Sequence, residues 1–189
     1  MRAAVFLDRD GVINQNRDDY VKSWAEVHFL PGVFAALARL ADSPFAIVLV
    51  TNQSPIGRGI LTRGQVEVVN QRIVAEIETR GGRVDAVYYC PHRPDENCDC
   101  RKPRPGLLLQ ATERFNLDLS SSYLIGDAVS DVEVALAADV QPVLVLTGRG
   151  RQQVCLLCQR GYDHIPVARD LAEAVAFILE EQSLGQARE

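Results

Sequence analysis

Short apolar runs alternate along the chain with longer segments whose apolar residues recur at helical spacing. The clearest strand candidates are AAVFL, FAIVLV, AVYY, YLIG and PVLVL, which begin at Ala3, Phe45, Ala86, Tyr123 and Pro142. Continuous apolar runs of this length are typical of parallel strands that are buried on both faces of a sheet. A sixth strand is predicted near His164 to Ala168.

Helical segments are predicted between these strands. Thr62, with Gln65 three positions later, has the spacing of a capping box, which favours a helix start at this point. The alternation of strands and helices predicts a single doubly wound, Rossmann-like α/β sheet with parallel strands. The predicted helices are Gly32 to Ala41, Arg63 to Arg80, Pro103 to Phe115, Ser130 to Ala138, and Asp170 to about Glu181.

Length and composition are those of one domain. The chain has 189 residues, of which 47% are hydrophobic, and we predict one domain over residues 1–182 with a frayed tail over residues 183–189. The longest aliphatic run, Phe45 to Val50, is too short to span a membrane, and the amino terminus reaches Asp8 too soon for a secretory signal. We therefore expect a cytoplasmic protein, acting as a monomer.

The charge distribution limits the class of ligand. A net charge of -5 argues against general binding to nucleic acid. Arginines nevertheless gather locally, for example at Arg58, Arg101 and Arg149. A small anionic substrate is compatible with both observations.

Two aspartates follow the first predicted strand. Asp8 and Asp10 are two positions apart, so that both carboxyl groups lie on the same side of an extended segment, and Gly11 lets the chain turn. In this arrangement one carboxylate can attack phosphorus while the other protonates the leaving oxygen and later activates water. Taken alone, the motif is equally compatible with a pair of solvated turn aspartates.

Polar residues also follow three other predicted strands, where ligands bind in doubly wound sheets. Thr51 offers a hydroxyl and a backbone N–H to a phosphoryl oxygen, and the adjacent Asn52 is predicted to bind phosphate or substrate with it. Lys102, one of only two lysines, could place a point charge on a phosphate. Asp127 is well placed for Mg²⁺, whereas Asp131, near the next helix start, is interpreted as a supporting residue.

Together these motifs are far more specific than any one of them. The order DxDG, TNQ, KP and GDxxxD resembles the haloacid dehalogenase superfamily of phosphatases and phosphotransferases over residues 5–146. The resemblance implies a nucleophile at Asp8, a general acid and base at Asp10, phosphate contacts from Thr51 and Lys102, and Mg²⁺ held by Asp8, the Asp10 carbonyl and Asp127.

A second cluster of reactive side chains lies between the third strand and Lys102. Cys90 and His92 form one close pair, and Cys98 and Cys100 form another. Three thiolates and one imidazole in a short polar loop favour a closed, structural zinc site over cysteines buried as small apolar residues. Such a site would fix the direction of Arg101 and Lys102 and would reduce the ordering cost of binding an anion.

The remaining two cysteines, Cys155 and Cys158, have helical spacing with leucines between them. This pattern favours core or semi-exposed packing over redox or metal chemistry.

The zinc loop narrows the resemblance to heptose bisphosphate phosphatases and histidinol phosphate phosphatases. Val12-Ile13-Asn14 favours the heptose group, which implies removal of the 7-phosphate of D-glycero-D-manno-heptose 1,7-bisphosphate. About forty residues separate Asp10 from Thr51, which leaves no room for a cap domain. The loop Pro55 to Gly59, with Arg58, and the zinc loop are therefore expected to form the rim of the site.

Three alternatives remain open at this point. Histidinol phosphate phosphatases share the zinc loop, and a polynucleotide 3′-phosphatase is a more remote possibility because the chain is acidic. A non-catalytic, zinc-stabilised binding module would be a different class of protein. The Asp8 and Asp10 pair argues against such a module.

Overall fold

Six parallel strands form one sheet in the order β3-β2-β1-β4-β5-β6 in this computed structural model, which describes residues 1–186. The doubly wound α/β sheet predicted from the sequence is confirmed. The strands are β1 (Arg2–Leu7), β2 (Ala46–Asn52), β3 (Ala86–Cys90), β4 (Leu117–Gly126), β5 (Gln141–Val145) and β6 (Val167–Ala168). The helices are α1 (Val33–Ala41), α2 (Arg63–Thr79), α3 (Gly106–Phe115), α4 (Val129–Ala137), α5 (Gly150–Gln159) and α6 (Leu171–Gln186).

The central strands are buried on both faces because their successive side chains enter two separate hydrophobic clusters. In β1, Val5 and Leu7 pack in the cluster that contains α1, α2 and α6, whereas Ala4 and Phe6 pack in the cluster that contains α3 and α4. A third, smaller cluster joins Leu157 of α5 to α4 and β5. This two-sided packing explains why the strands read as uninterrupted apolar runs.

The starts of β4 and α3 differ clearly from the prediction. Strand β4 begins at Leu117, six residues before the predicted start at Tyr123, because Leu117 and Asp118 pair with the beginning of β1. The register shifts between these pairs and the rest of the strand, and the Ser122 hydroxyl accepts a hydrogen bond from Ala4 N–H at 2.9 Å. Helix α3 begins at Gly106 instead of Pro103, after a turn that contains two prolines.

The carboxyl-terminal part also differs from the prediction. Helix α5 stands where only a helical spacing of two cysteines was noted, and β6 is limited to Val167–Ala168. Helix α6 continues to Gln186, past the predicted end near Glu181 and into the segment predicted to fray. The rest of that predicted tail, residues 187–189, lies outside the described residues. Among the helices of residues 1–186, none combines the length and the apolar character that a bilayer crossing requires.

No separate cap interrupts the sheet within the described residues. Between β1 and β2 the chain forms α1 and one 3-10 turn, Trp24–Glu26. Between β2 and α3 it forms α2, β3 and a second 3-10 turn, Pro94–Glu96. The capless architecture predicted from the spacing of the motifs is thus confirmed.

Candidate active site

A cleft of about 270 Å³ opens at the carboxyl ends of β1, β2 and β4. It lies where parallel strands of a doubly wound sheet present the residues that follow them. The structure brings most of the predicted side chains to this cleft: Asp8, Asp10, Thr51, Asn52, Arg58, Arg101, Lys102, Asp127 and Asp131.

A buried ammonium group lies at the base of the cleft. Lys102 Nζ is 2.7 Å from Asp8 Oδ1 and 2.6 Å from Asp131 Oδ1, and it donates a hydrogen bond to the Val50 carbonyl at 2.9 Å. Asp8, Asp127 and Asp131 are all buried, and each offers an oxygen within 4.8 Å of the others. Asp131 therefore belongs to the site itself, whereas the sequence analysis gave it a supporting place beside the helix.

Three carboxylates around one lysine leave an excess of negative charge. Burial raises the pKa of Asp8 to about 7, and the charges of Asp131 and Asp127 act in the same direction, against Lys102. Burial and the Asp131 charge likewise raise the pKa of Asp127 to about 6. Burial opposes ionisation of Lys102, but the two adjacent carboxylates outweigh it and raise its pKa. A bound cation would relieve the repulsion among these carboxylates.

The second aspartate of the motif lies in a different environment. Asp10 Oδ2 accepts from Arg9 Nη2 at 2.7 Å and from Gln53 Nε2 at 2.9 Å, and Oδ1 accepts from Asn14 Nδ2 at 2.8 Å. Burial acts to raise the pKa of Asp10, but the Arg9 charge and these hydrogen bonds outweigh it and hold the pKa below its ordinary value. The pKa values of the two neighbouring carboxyl groups are thus shifted in opposite directions in the metal-free protein.

A loop that the sequence analysis passed over closes the site beside Asp127. The Thr147 hydroxyl donates to the Gly11 carbonyl at 2.7 Å, and Arg149 N–H donates to Asp127 Oδ2 at 2.8 Å. Gly11 has φ of +99°, and a Cβ there would lie 2.1 Å from Asp127 Oδ2. At Gly148 a Cβ would lie 2.2 Å from the same oxygen. Glycine is therefore required on both sides of this carboxylate.

The last two residues of β2, Thr51 and Asn52, have different contacts. Thr51 is buried in the wall of the cleft, and its hydroxyl accepts from Gln53 Nε2 at 3.0 Å. The Asn52 side chain accepts from Lys102 N–H at 3.1 Å and donates to the Lys102 carbonyl at 3.2 Å. Asn52 therefore holds the backbone of the lysine, and its predicted contact with phosphate or substrate stays a prediction.

The rim of the cleft consists of the two loops predicted to form it, Pro55 to Gly59 and the zinc loop. Arg58 and Arg101 both line the cleft, and Arg101 Nη1 donates to the His92 carbonyl at 3.3 Å. The loops are packed together at Gly57, whose N–H donates to the Pro91 carbonyl at 2.8 Å. Among the lining residues that the sequence analysis did not assign to the cleft are Asn16, Arg17, Tyr20 and Ser130.

The three loop cysteines and the histidine converge behind this rim. Cys90 Sγ is 3.5 Å from Cys98 Sγ and 3.6 Å from His92 Nδ1, while Cys100 Sγ is 3.3 Å from His92 Nδ1 and 3.6 Å from Cys98 Sγ. Metal–ligand distances of about 2.0–2.3 Å at tetrahedral angles require ligand separations of about 3.3–3.8 Å. The four predicted ligands therefore fit one tetrahedral ion.

The two remaining cysteines lie elsewhere. Cys155 and Cys158 are both exposed on α5, and the leucine that this helix buries is Leu157. Core packing, one of the two placements predicted for these thiols, is wrong.

Comparison with known proteins agrees with this geometry. The family model described as HAD-hydrolase-like matches residues 99–174. The chain is 44% identical over 149 residues to the D-glycero-beta-D-manno-heptose-1,7-bisphosphate 7-phosphatase of Pseudomonas aeruginosa, covering 79% of this chain and 84% of the relative. The enzyme of the same name from Bordetella bronchiseptica is 39% identical over 178 residues, covering 94% and 98%.

A solved structure is similar over nearly the whole chain. It is the D,D-heptose 1,7-bisphosphate phosphatase of Bordetella bronchiseptica in complex with magnesium and phosphate. The TM-score is 0.87 at 38% identity, and the match covers 95% of this chain and 99% of that one.

Proposed function

We propose that this chain, which belongs to the heptose bisphosphate phosphatase family of haloacid-dehalogenase-like hydrolases, removes the 7-phosphate of D-glycero-D-manno-heptose 1,7-bisphosphate. The observation that carries the proposal is the placement of Asp8 beside Lys102 in a cleft whose rim is formed by Arg58 and Arg101. The family makes the chain a phosphatase. The arginines of the rim support a substrate with a second anionic group.

The two aspartates would divide the reaction between them. Asp8 attacks phosphorus, the bond from phosphorus to the sugar oxygen breaks, and Asp10 gives its proton to that oxygen. The dianionic ester brings negative charge close to Asp10, which favours the protonated form that this step needs. Asp10 then accepts a proton from the water that cleaves the aspartyl phosphate, releasing phosphate and restoring Asp8.

A substrate panel tests this proposal. Phosphate release is measured with D-glycero-D-manno-heptose 1,7-bisphosphate, histidinol phosphate and an aryl phosphate, with Asp8→Asn as the control for contaminating phosphatases. The highest kcat/KM is expected for the heptose bisphosphate. Preference for histidinol phosphate would assign the chain to the other zinc-loop activity, and inactivity on all three would favour a binding module.

Magnesium is the cofactor that we propose for the three-carboxylate cluster. The oxygens of Asp8, Asp127 and Asp131 converge within 4.8 Å, and hard carboxylate oxygens are the ligands that Mg²⁺ prefers. From the family resemblance, Asp8, Asp127 and the Asp10 carbonyl would hold the ion, while Asp131 pairs with Lys102. When bound, Mg²⁺ neutralises charge on the transferring phosphoryl group.

Magnesium should stabilise the fold more at pH 8 than at pH 5.5. In the metal-free protein the raised pKa values of Asp8 (about 7) and Asp127 (about 6) make a stabilising contribution at low pH that is lost as these carboxyl groups ionise. Mg²⁺ binds the ionised forms and must displace protons at pH 5.5. The measurement is the Tm at both pH values with and without Mg²⁺, and an equal shift at both would contradict the expectation.

Zinc is the ion that we propose for Cys90, His92, Cys98 and Cys100, because three thiolates and one imidazole form a closed tetrahedral set. The ion would have a structural role, since none of its four positions is open to substrate. It would fix the peptide that carries Arg101 and Lys102 directly after the last ligand.

Cys98→Ser should lose this zinc, and Cys155→Ser should not. A hydroxyl replaces a thiolate poorly as a zinc ligand, whereas Cys155 is an exposed thiol outside the cluster and provides a matched control. Elemental analysis of the purified protein should find about one zinc per chain, and Cys98→Ser should lose it together with part of the activity. Full zinc occupancy and full activity in Cys98→Ser would contradict the assignment.

Arg101→Ala should impair the bisphosphate substrate selectively. A guanidinium on a loop fixed by zinc can bind the second phosphate through two parallel hydrogen bonds. We expect kcat/KM for the bisphosphate to fall at least about tenfold, a loss of about 1.4 kcal/mol in transition-state binding. An aryl monophosphate should be affected much less, and Arg151→Ala, an exposed arginine outside the cleft, should affect neither substrate. Equal losses on both substrates would instead assign Arg101 to phosphoryl transfer.

Two further features belong to this proposal. A cytoplasmic location suits a cluster whose three cysteines must remain reduced to bind metal. We also propose that the protein acts as a monomer.

A further inference from the structure

The arginine between the two motif aspartates is almost completely buried. Arg9 is 1% exposed, which is rare for a charged side chain unless it is paired. Its Nη2 donates to Asp10 Oδ2 at 2.7 Å, and its Nη1 donates to Asn70 Oδ1 of α2 at 2.8 Å. The guanidinium thus connects the carboxyl group of Asp10 to a helix that follows the next strand.

The backbone of Arg9 also organises the turn after β1. Its carbonyl oxygen accepts from the N–H groups of Val12, Ile13 and Asn14 at 3.4, 2.9 and 3.1 Å. Asn14, placed by this turn, directs its side-chain amide at Asp10 Oδ1. The side chain and the backbone of Arg9 therefore act on opposite oxygens of the same carboxyl group.

The buried charge restricts the orientation of Asp10. Among the ion pairs formed by residues 1–186, Asp10 is the one carboxylate that pairs with Arg9. A buried guanidinium is strongly destabilised when its counter-charge turns away. Rotation of Asp10 away from Arg9 is thus opposed from within the fold.

Counting acceptor positions identifies the oxygen that remains free for proton transfer. A carboxylate oxygen has about two lone-pair positions. Oδ2 of Asp10 uses both, for Arg9 Nη2 and for Gln53 Nε2, whereas Oδ1 uses one, for Asn14 Nδ2. Oδ1 therefore retains the position at which a proton can be held and exchanged with a ligand in the cleft.

We propose that Arg9, anchored by Asn70, is a positioning residue that holds Asp10 so that Oδ1 exchanges the proton with the leaving oxygen and the attacking water. This inference rests on the proposed role of Asp10 as acid and base. It predicts that damage to Arg9 or Asn70 reaches the reaction through Asp10 and not through the nucleophile.

The leaving group distinguishes this role from a merely structural one. An alkyl phosphate needs protonation of its leaving oxygen, whereas p-nitrophenyl phosphate needs it little. In Arg9→Met, the single-turnover rate of enzyme phosphorylation should fall about 10- to 100-fold more with the alkyl ester than with the aryl ester. This difference lies within the range of a general acid's contribution. Arg9→Lys should recover part of the loss on the alkyl ester, because an ammonium group retains the charge but lacks the second donor arm.

Two further variants isolate the path of the effect. Asn70→Leu, which removes the anchor but leaves the pair of Arg9 and Asp10, should show the same leaving-group dependence with a smaller loss. This variant also carries the test if Arg9→Met does not fold. In an Asp10→Asn background, Arg9→Met should lower the phosphorylation rate by less than about a further threefold. The effects of residues that act through one group are not additive. Binding of beryllium fluoride to Asp8, measured by fluorine NMR, should persist in each folded variant.

The outcomes separate the inference from the proposed function. Equal losses of Arg9→Met on alkyl and aryl esters, or full additivity with Asp10→Asn, would overturn the positioning role. If Asp10→Asn itself showed no leaving-group dependence, the acid role of Asp10 would fail first. If Asp10→Asn showed leaving-group dependence and neither Arg9→Met nor Asn70→Leu showed it, only the inference about Arg9 would fail.

Discussion

Asp8→Asn is expected to abolish turnover and to raise the thermal stability of the metal-free protein at pH 8. The amide cannot attack phosphorus, so the covalent route is lost. The stability gain follows from the environment of the carboxyl group, whose pKa is raised to about 7 by burial and by Asp131 and Asp127, against the effect of Lys102. An ionised Asp8 therefore destabilises the metal-free fold at pH 8, and a neutral isostere removes that cost.

Three measurements check this expectation. Phosphate release should fall to the background of the assay, and the Tm without metal at pH 8 should rise relative to the unmodified chain. The increase in Tm on adding Mg²⁺ should shrink, because one carboxylate of the cluster is missing. A phosphoryl group trapped on a residue other than Asp8 would refute its assignment as the nucleophile.

Asp10→Asn should also inactivate the enzyme, but with the opposite effect on stability. Loss of the general acid and base should lower kcat by about 10²- to 10⁴-fold on a sugar phosphate. The Tm should fall, because buried Arg9 loses its carboxylate partner. The Asp10 side chain is 22% exposed, so solvent screens part of the pair. We therefore expect the free energy of unfolding to fall by at most about 3 kcal/mol, the lower end of the range for breaking a buried ion pair.

The contrast between these two substitutions is the sharper test. The two residues are separated by one position, and each substitution replaces Asp by Asn. The change in net charge is therefore the same and cannot explain opposite changes in Tm. Thermal unfolding of both variants in the same metal-free buffer at pH 8 measures the difference. A Tm for Asp10→Asn equal to or above that of the unmodified chain would contradict the role of Arg9 as a buried charge that depends on Asp10.

The sequence predicted the fold where burial is two-sided and failed where pairing involves polar residues. The central strands appear as apolar runs because both of their faces are covered, so periodicity was sufficient to identify β1 and β2. The start of β4, with the sequence DLSSS after Leu117, gives no such signal, since its pairing with the beginning of β1 depends on the backbone and on the hydroxyl of Ser122. Helix α5 was also missed as an element because it buries little apolar surface.

Residues of the site could be predicted from the sequence where a distinctive residue type lies close to the end of a strand or is rare in the chain. Asp8, Asp10 and Asp127 lie close after β1 and β4, whereas Lys102 lies beyond the zinc loop and was identified because the chain has only one other lysine. Arg9 did not stand out, because an alternating segment places it on the side opposite to its neighbours, and only the fold brings Asn70 beside it. The contacts of Thr147 and Arg149 depend on a loop that packs against Gly11 from 136 residues away, a distance that local patterns do not describe.

The position of β1 at the centre of the sheet has a consequence for how the chain folds. Strand β1 can pair with β2 once residues 1–52 have been synthesised, but its other neighbour, β4, begins only at Leu117. Closing that long loop makes the topology rich in non-local contacts, which slows folding. On the ribosome the segment with Asp8 is made early, while Asp127 and Thr147 are made late. One edge of β1, which is apolar from Ala3 to Leu7, therefore stays unpaired and prone to aggregation until the carboxyl-terminal half of the chain is synthesised.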